Sequence, residues 1–332
     1  MTATTHRKLA AVLLATVIFG CLGALTTAAV GRPVEIGTMN ALLIGAGIGL
    51  FEEFYVQTQR GNWMRAMHPL RSIFIYILVV IVLYLVALHI THVVLNRLDD
   101  LPVVYRRLAY GIAFFTAFSI PGILMIRVAH FIGLRTLLDL LIGTYHRPVQ
   151  ERKVLLFLDI NGSTALSERL GALNMRAFVR KFLSDLSQPI VDHGGEIYLY
   201  KGDGLIAIWN WADAVRGDAI LRAVDAMFAA IAGERKNYET SFGAAPGFRI
   251  GIHGGAVIIS EQGDARRSIG IYGDAINIAA RMEEAARAHC VRCVISADVA
   301  GVLSDQSRIR AIGSEQVKGI SAPIPICEYV PA

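Results

Sequence analysis

Charged side chains are scarce in this 332-residue chain: 32 Lys and Arg with 27 Asp and Glu make up only 18% of it. With 54% hydrophobic residues, that deficit excludes an ordinary water-soluble globule and calls for membrane spans. Cysteine is nearly missing too. Four cysteines, one of them inside an apolar run, make no disulfide framework, and the C-x-x-C of Cys290 and Cys293 lacks the second pair that a zinc site needs. The second half of the chain also has no basic excess. Residues 151–332 hold 20 Lys and Arg against 21 Asp and Glu, whereas residues 1–150 hold 12 against 6, so the net charge of +5 belongs to the first half. The second half therefore has no electrostatic footprint for nucleic acid.

What the first half has instead is long apolar runs. Residues 9–30, 72–96 and 108–126 contain no Asp, Glu, Lys or Arg, and each is long enough to cross a hydrocarbon core of about 30 Å at about 1.5 Å per residue. Residues 37–51 extend into a fourth span, 37–56, if Glu52 and Glu53 sit near the headgroups. An all-α, four-helix transmembrane domain over residues 1–126 follows, in contact with membrane lipid. Arg7, Lys8, Arg60, Arg65 and Arg71 outnumber Arg32, Arg97, Arg106 and Arg107 in the connections on the other side, which points the N-terminus inward. Four crossings then place the rest in the cytoplasm, as a multi-pass protein of the inner (plasma) membrane. The rival reading, a cleaved signal peptide, meets an apolar run longer than the usual one. His89 and His92, three apart, would share a helix face, where hydrogen bonding competes with a haem or metal role. Residues 127–150 keep a helical apolar stripe up to Gly143 and read as a coupling helix or linker.

From residue 151 the pattern changes. "KVLLFLDI" is a buried strand that ends on a carboxylate, Asp159. A second carboxylate, Asp203, stands between two glycines in "IYLYKGDGLIAIW", a strand, tight turn and strand. Helices are expected from Ser163, over 173–192 and over about 213–236, then a strand through "FRIGIHGGAVIIS", a strand near 268–272 and a helix opening at Asp274. This β-α-α-β-β-α-β order suits an α+β, ferredoxin-like sheet with helices on one face. An unpaired carboxylate is costly in such apolar surroundings, and two of them on one sheet edge suit a pair of hard divalent cations. Asn277 and Arg281, one turn apart, share a face of the last helix.

Five ordered blocks, "FLDINGSTALSERLG", "YKGDGLIAIW", "IGIHGGAVIIS", "IYGDAINIAARM" and "VKGISAPIPICEY", closely resemble the catalytic domain of class III adenylate/guanylate cyclases, over roughly 153–330. The resemblance implies a cyclase catalytic domain over 151–332 that works as a head-to-tail homodimer with two composite sites. It implies that Asp159, Asp203 and the backbone carbonyl of Ile160 hold two Mg²⁺ or Mn²⁺ ions. The amides of Asn161, Gly162, Ser163 and Thr164 would cradle phosphates, Asn277 would orient the ribose, Arg281 would meet charge on the α-phosphate, and Lys318 would contact the pyrophosphate end.

The implied activity is that of a membrane-anchored adenylate cyclase, a phosphorus-oxygen lyase converting ATP to cyclic AMP and pyrophosphate. The alternatives are a guanylate cyclase acting on GTP and a catalytically degenerate nucleotide-binding module. Two positions depart from the family. The usual base-reading lysine is replaced by Leu199, for which Lys201, on the same strand face, would substitute, and the second base-reading position is Gly270.

Overall fold

The computed structural model describes residues 3–31, 33–61, 63–64, 67–97, 106, 108–113, 116–117, 120–121, 124, 139, 142–263, 268–317, 319–320 and 322–332. It divides into two compact units, Met1–Leu141 and Ile142–Ala332.

In the first unit, helices α1 (Ala3–Ala29), α2 (Val34–Phe51) and α3 (Pro69–Val94) dominate the described residues. The stretches Lys8–Ala29, Val34–Val56 and Arg71–Val94 are long and apolar enough to cross a membrane. Small residues let α1 and α2 approach closely: a side chain at Gly23 would collide with Ala41, and one at Gly37 with Thr27. Within the expected fourth span, 108–126, the described residues 108–113, 116–117, 120–121 and 124 are helical, whereas most of the expected coupling helix, 127–150, lies outside the described residues. Glu52 differs from expectation. Rather than reaching for the headgroups, it is buried where α2 passes into a π-helical turn, Glu52–Val56, and accepts hydrogen bonds from the Tyr76 hydroxyl and from Gln57 Nε2 at 2.7 Å. Two donors satisfy the carboxyl inside the bundle, which removes the physical need to snorkel.

The second unit is built on one eight-stranded mixed sheet. Its strands are β1 (Val149–Ile160), β2 (Glu196–Lys201), β3 (Gly204–Asn210), β4 (Phe248–Gln262), β5 (Ser268–Tyr272), β6 (Cys293–Ser296), β7 (Ile309–Glu315) and β8 (Ile324–Tyr329). The order is β2-β3-β1-β4-β6-β8-β7, with β5 paired to β4, and β4–β6 is the parallel pair. Helices α4 (Ser163–Leu170) and α5 (Ala172–Asp192) follow β1, a short α6 (Trp211–Val215) and the long α7 (Ala219–Phe242) follow β3, and α8 (Asp274–Ala288) and α9 (Ala297–Ala300) come later.

Alternation along the strands sorts the core into two faces. Leu156, Leu158, Leu205, Ala207 and Ile250 turn toward Phe178, Phe182 and Leu186 of α5 and Val224 and Met227 of α7. Leu155, Val257 and Ile259 turn the other way, toward Ala275 and Ala279 of α8. Helices thus cover both faces, where the sequence pattern predicts one. Gly251 makes the second layer fit, since a Cβ there would strike the backbone of Met282 and Glu283. The sequence suggests Asp274 as the N-cap of α8; in the structure Gly273 is the N-cap and Asp274 the first helical residue.

His253, on β4, is 5% exposed and its Nδ1 lies 2.8 Å from Ser296 Oγ. Burial lowers its pKa to about 4, with the Asp298 charge pulling weakly the other way. The unfolded chain gains this proton near pH 6.5, well before the folded one does, so folding stability is intact above about pH 6.5 and declines toward pH 4. The loss is about 3 kcal/mol at most. Unfolding of the detergent-solubilised chain, followed by tryptophan fluorescence, should show a lower midpoint at pH 5 than at pH 7, and His253→Gln should flatten that difference. An equal slope in both proteins would mean that another group carries it.

Candidate active site

The site begins where β1 runs out. Its last residues pair with β4, so that Asp159 stands opposite Arg249 and Ile160 opposite Phe248. On the other side of β1, Leu158 pairs with Leu205, the second residue of β3. The preceding turn, Gly202–Asp203–Gly204, therefore comes up beside Asp159. Gly202 has φ +63°, a conformation that glycine adopts without a Cβ penalty. Gly204 has no room for a side chain: a Cβ would fall on the Leu158 carbonyl oxygen and 3.1 Å from Asp159 Oδ1. One turn of unusual tightness thus brings the two aspartates together.

Electrostatics around this pair are those of a crowded acidic corner. Burial raises the Asp159 pKa above the ordinary carboxylate value, the charges of Asp203 and Glu283 raise it further, and the Arg249 guanidinium opposes them. Asp203 Oδ2 is buried with no hydrogen-bond partner among the described residues. A buried, orphaned carboxylate oxygen beside a second carboxylate is a donor set that suits a hard divalent cation. Asp159, Asp203 and the neighbouring Ile160 carbonyl fit such an ion.

Beyond Ile160 the chain turns through Gly162, at φ +62°, into α4. The Asn161 amide is not free for an anion, because it donates to the Gly247 carbonyl at 2.8 Å. This corrects the expectation of four phosphate-binding amides; those of Gly162, Ser163 and Thr164 remain at the helix start. Asn161 serves through its side chain, whose Oδ1 accepts from Arg249.

Asn277 and Arg281 stand apart from this corner. Both are exposed, on the stripe of α8 opposite its buried residues Ala275, Ile278, Ala279 and Met282, and Arg281 pairs with Glu284 of its own helix. Within one protomer the structure therefore brings Asp159 and Asp203 together and turns Asn277 and Arg281 outward. Lys318 lies outside the described residues.

On β2, a bulge between Ile197 and Leu199 resets the register. Leu199 pairs with Ile206 and Lys201 with Gly204, so the two share a face, as the spacing predicts. The bulge adds Tyr198, whose hydroxyl accepts from the Ile271 amide at 3.1 Å. Gly270 is crowded by the Tyr272 phenol, whose oxygen would lie 2.7 Å from a Cβ there. The histidines of α3 do not act together: His89 is exposed and His92 buried, and each places Nδ1 on the carbonyl four residues back, at 2.9 and 2.8 Å.

Arg249 and Glu283 are the residues that sequence reasoning passes over. The signal was present, since a lone arginine in the apolar run "FRIGIHGG" has to find an acid. Which acid it finds depends on α8 folding back over β4.

Residues 146–329 match the family described as Adenylate and Guanylate cyclase catalytic domain. Adenylate cyclase 2 of Rhizobium meliloti (strain 1021) is 33% identical over 256 residues, covering 75% of this chain and 69% of that protein. The adenylate cyclase of Anabaena cylindrica is 30% identical over 185 residues, 53% of this chain but only 36% of its own length. Among solved structures, a bacterial light-regulated adenylyl cyclase superposes with a TM-score of 0.56 at 22% identity, covering 66% of this chain and 64% of that one. At that identity the likeness is one of fold.

Proposed function

The chain belongs to the family of adenylate and guanylate cyclase catalytic domains, and from that premise we propose that it is a membrane-anchored adenylate cyclase converting ATP to 3′,5′-cyclic AMP and pyrophosphate at sites shared by two copies. The observation that carries this reading is the division of labour within one protomer. Asp203, with its orphaned buried oxygen, lies beside Asp159, while Asn277 and Arg281 face outward on α8. A second copy, placed head to tail, supplies what each half lacks.

Two Mg²⁺ or Mn²⁺ ions, when bound, would acidify the ribose 3′-hydroxyl and offset charge on the leaving pyrophosphate. Asp159, Asp203 and the Ile160 carbonyl would hold them. The amides at the start of α4 would donate to phosphate oxygens, and Lys318 would meet the pyrophosphate end. From the other copy, the Asn277 carboxamide would orient the ribose. Arg281 would leave Glu284 for the α-phosphate, where negative charge develops during the reaction. The exposed Lys201 is the side chain offered to the purine. Adenine is favoured by the names of the relatives, which are adenylate cyclases. The apolar helices would anchor the chain in the inner membrane with the catalytic unit in the cytoplasm, as the Lys and Arg distribution directs.

The test is turnover of ATP and GTP by the full chain in nanodiscs with Mn²⁺. Cyclic AMP with equimolar pyrophosphate is the expected product. Cyclic GMP alone would overturn the base assignment, and nucleotide binding without any cyclic product would overturn the enzyme in favour of a binding module.

A further inference from the structure

Gly270 is buried beneath a side chain of its own strand. On β5 the side chains at 268, 270 and 272 share one face, and the Tyr272 ring lies back along that face, so that its phenol oxygen would be 2.7 Å from a Cβ at residue 270. A side chain at 270 would contest that space. Laying an aromatic ring over a strand glycine covers the bare backbone, and a phenylalanine would do it as well. The hydroxyl needs a separate explanation.

Its surroundings give it a direction. Strands β4 and β5 pair antiparallel, with Gln262 opposite Ser268. Gln262 Nε2 donates to Ser268 Oγ at 3.2 Å, which leaves Oε1 for Tyr272, and the phenol donates its hydrogen there. A phenol has one hydrogen to give and lone pairs that accept. With the hydrogen committed to Gln262, what this exposed hydroxyl offers a ligand is an acceptor.

The place suits the base of a nucleotide. Tyr272 stands two residues before Asp274, where α8 opens, so β5 and the helix that carries Asn277 meet at one corner. The Tyr198 hydroxyl accepts from the Ile271 amide at 3.1 Å, which ties β2, the strand of Lys201, to β5. A polar side chain at 270 would carry its oxygen a bond or two beyond Cβ, and the phenol oxygen occupies that region in its stead.

Adenine presents a donor, its exocyclic amine, where guanine presents the O6 acceptor. We propose that the Tyr272 phenol oxygen, in the space that Gly270 leaves open, accepts a hydrogen bond from that amine, and that Gln262 fixes its direction. This rests on the adenylate cyclase reading above and assigns its choice of base to a residue. Guanine would set O6 against an oxygen with no hydrogen to offer, leaving polar atoms unpaired.

The experiment compares ATP with purine riboside 5′-triphosphate, the same nucleotide without the amine, on the full chain in nanodiscs with Mn²⁺. The unaltered chain should prefer ATP about tenfold in kcat/KM, the scale of one net hydrogen bond. Tyr272→Phe keeps the ring over Gly270 and should treat the two nucleotides alike. A preference that survives this substitution, or that the unaltered chain never shows, overturns the proposal. Gly270→Ala keeps the hydroxyl, but its methyl displaces the phenol, so the preference should vanish there too; its persistence would overturn the placement. Gln262→Leu frees the hydroxyl to turn its hydrogen toward the base, and use of GTP relative to ATP should rise about tenfold. An unchanged ratio overturns the fixed direction. Each comparison is a ratio within one protein, so a smaller folded fraction does not alter it. If no nucleotide is cyclised, the cyclase reading is what fails, and the same ratios, taken as dissociation constants by titration calorimetry, still decide whether Tyr272 reads the amine.

Discussion

Asp203→Asn and Arg281→Ala, each assayed alone, are expected to lose about a thousandfold or more in turnover, the scale on which removal of a charge-stabilising group acts. Purified heterodimers of the two should recover about half the wild-type rate per dimer, because one of the two composite sites is then assembled entirely from intact residues. The expectation comes from where the protomer puts its side chains. Asp203 lies close enough to Asp159 to raise its pKa, and its Oδ2 is buried without a hydrogen-bond partner among the described residues. Arg281 lies on the exposed side of α8, tied to Glu284. A protomer that assembled its whole site internally would need Arg281 turned inward, where Ala279, Met282 and Ala286 already fill the space. Inactive heterodimers of confirmed composition would show that both residues act within one chain.

Gly204→Ala should be nearly as damaging by a different route. The added methyl would meet the Leu158 carbonyl and the Asp159 carboxylate. A flexible side chain could move aside, but a ladder carbonyl cannot move without taking β1 with it. The β3 end must therefore back away from β1 at the point where Asp203 and Asp159 meet. We expect a destabilisation of about 1–3 kcal/mol, the usual range for overpacking. Turnover should fall by about a hundredfold or more, since small misplacements of reacting groups cost that much. Gly233→Ala, in the middle of α7 with open space around the added methyl, is the control and should be neutral or stabilising by about 0.5–1 kcal/mol. Thermal unfolding and turnover of both proteins check this, and a Gly204→Ala protein with normal turnover would show that the turn tolerates a wider separation.

Much of the architecture was legible because local patterns are strong where burial is one-sided. The apolar run of β1 was readable to its final Asp159-Ile160, the tight turn at Gly202 to Gly204 from its glycines, and β5 at residues 268–272. The single helix expected over about 213–236 is displaced: its start falls in the separate short α6, and α7 runs to Phe242, beyond 236, because Tyr238 and Phe242 pack on Phe178 of α5 with ring centroids 5.4 Å away, and Tyr238 donates to Asp185 Oδ2 at 2.7 Å. The polar stretch "GERKNYETSF" gives little periodic signal of that contact. Glu52 was misplaced for the same kind of reason. Its donors are Gln57, nearby, and Tyr76, twenty-four residues away on another helix, and only the folded bundle brings Tyr76 to it.

By itself, the amino-acid order determined which segments are apolar enough for a membrane, where strands stop on a carboxylate, and that Asn277 and Arg281 share one side of a helix. These follow from composition and from the fixed periods of strand and helix, which need no partner to be read. Only the tertiary structure decided that Gly204 packs against the end of β1 and brings Asp203 near Asp159, that Arg249 finds Glu283, and that the Asn277 side of α8 is the one left facing out. Those outcomes depend on which surfaces meet when β3 and β4 pair with β1 and α8 lies down on β4, and no stretch of sequence contains both sides of such a contact.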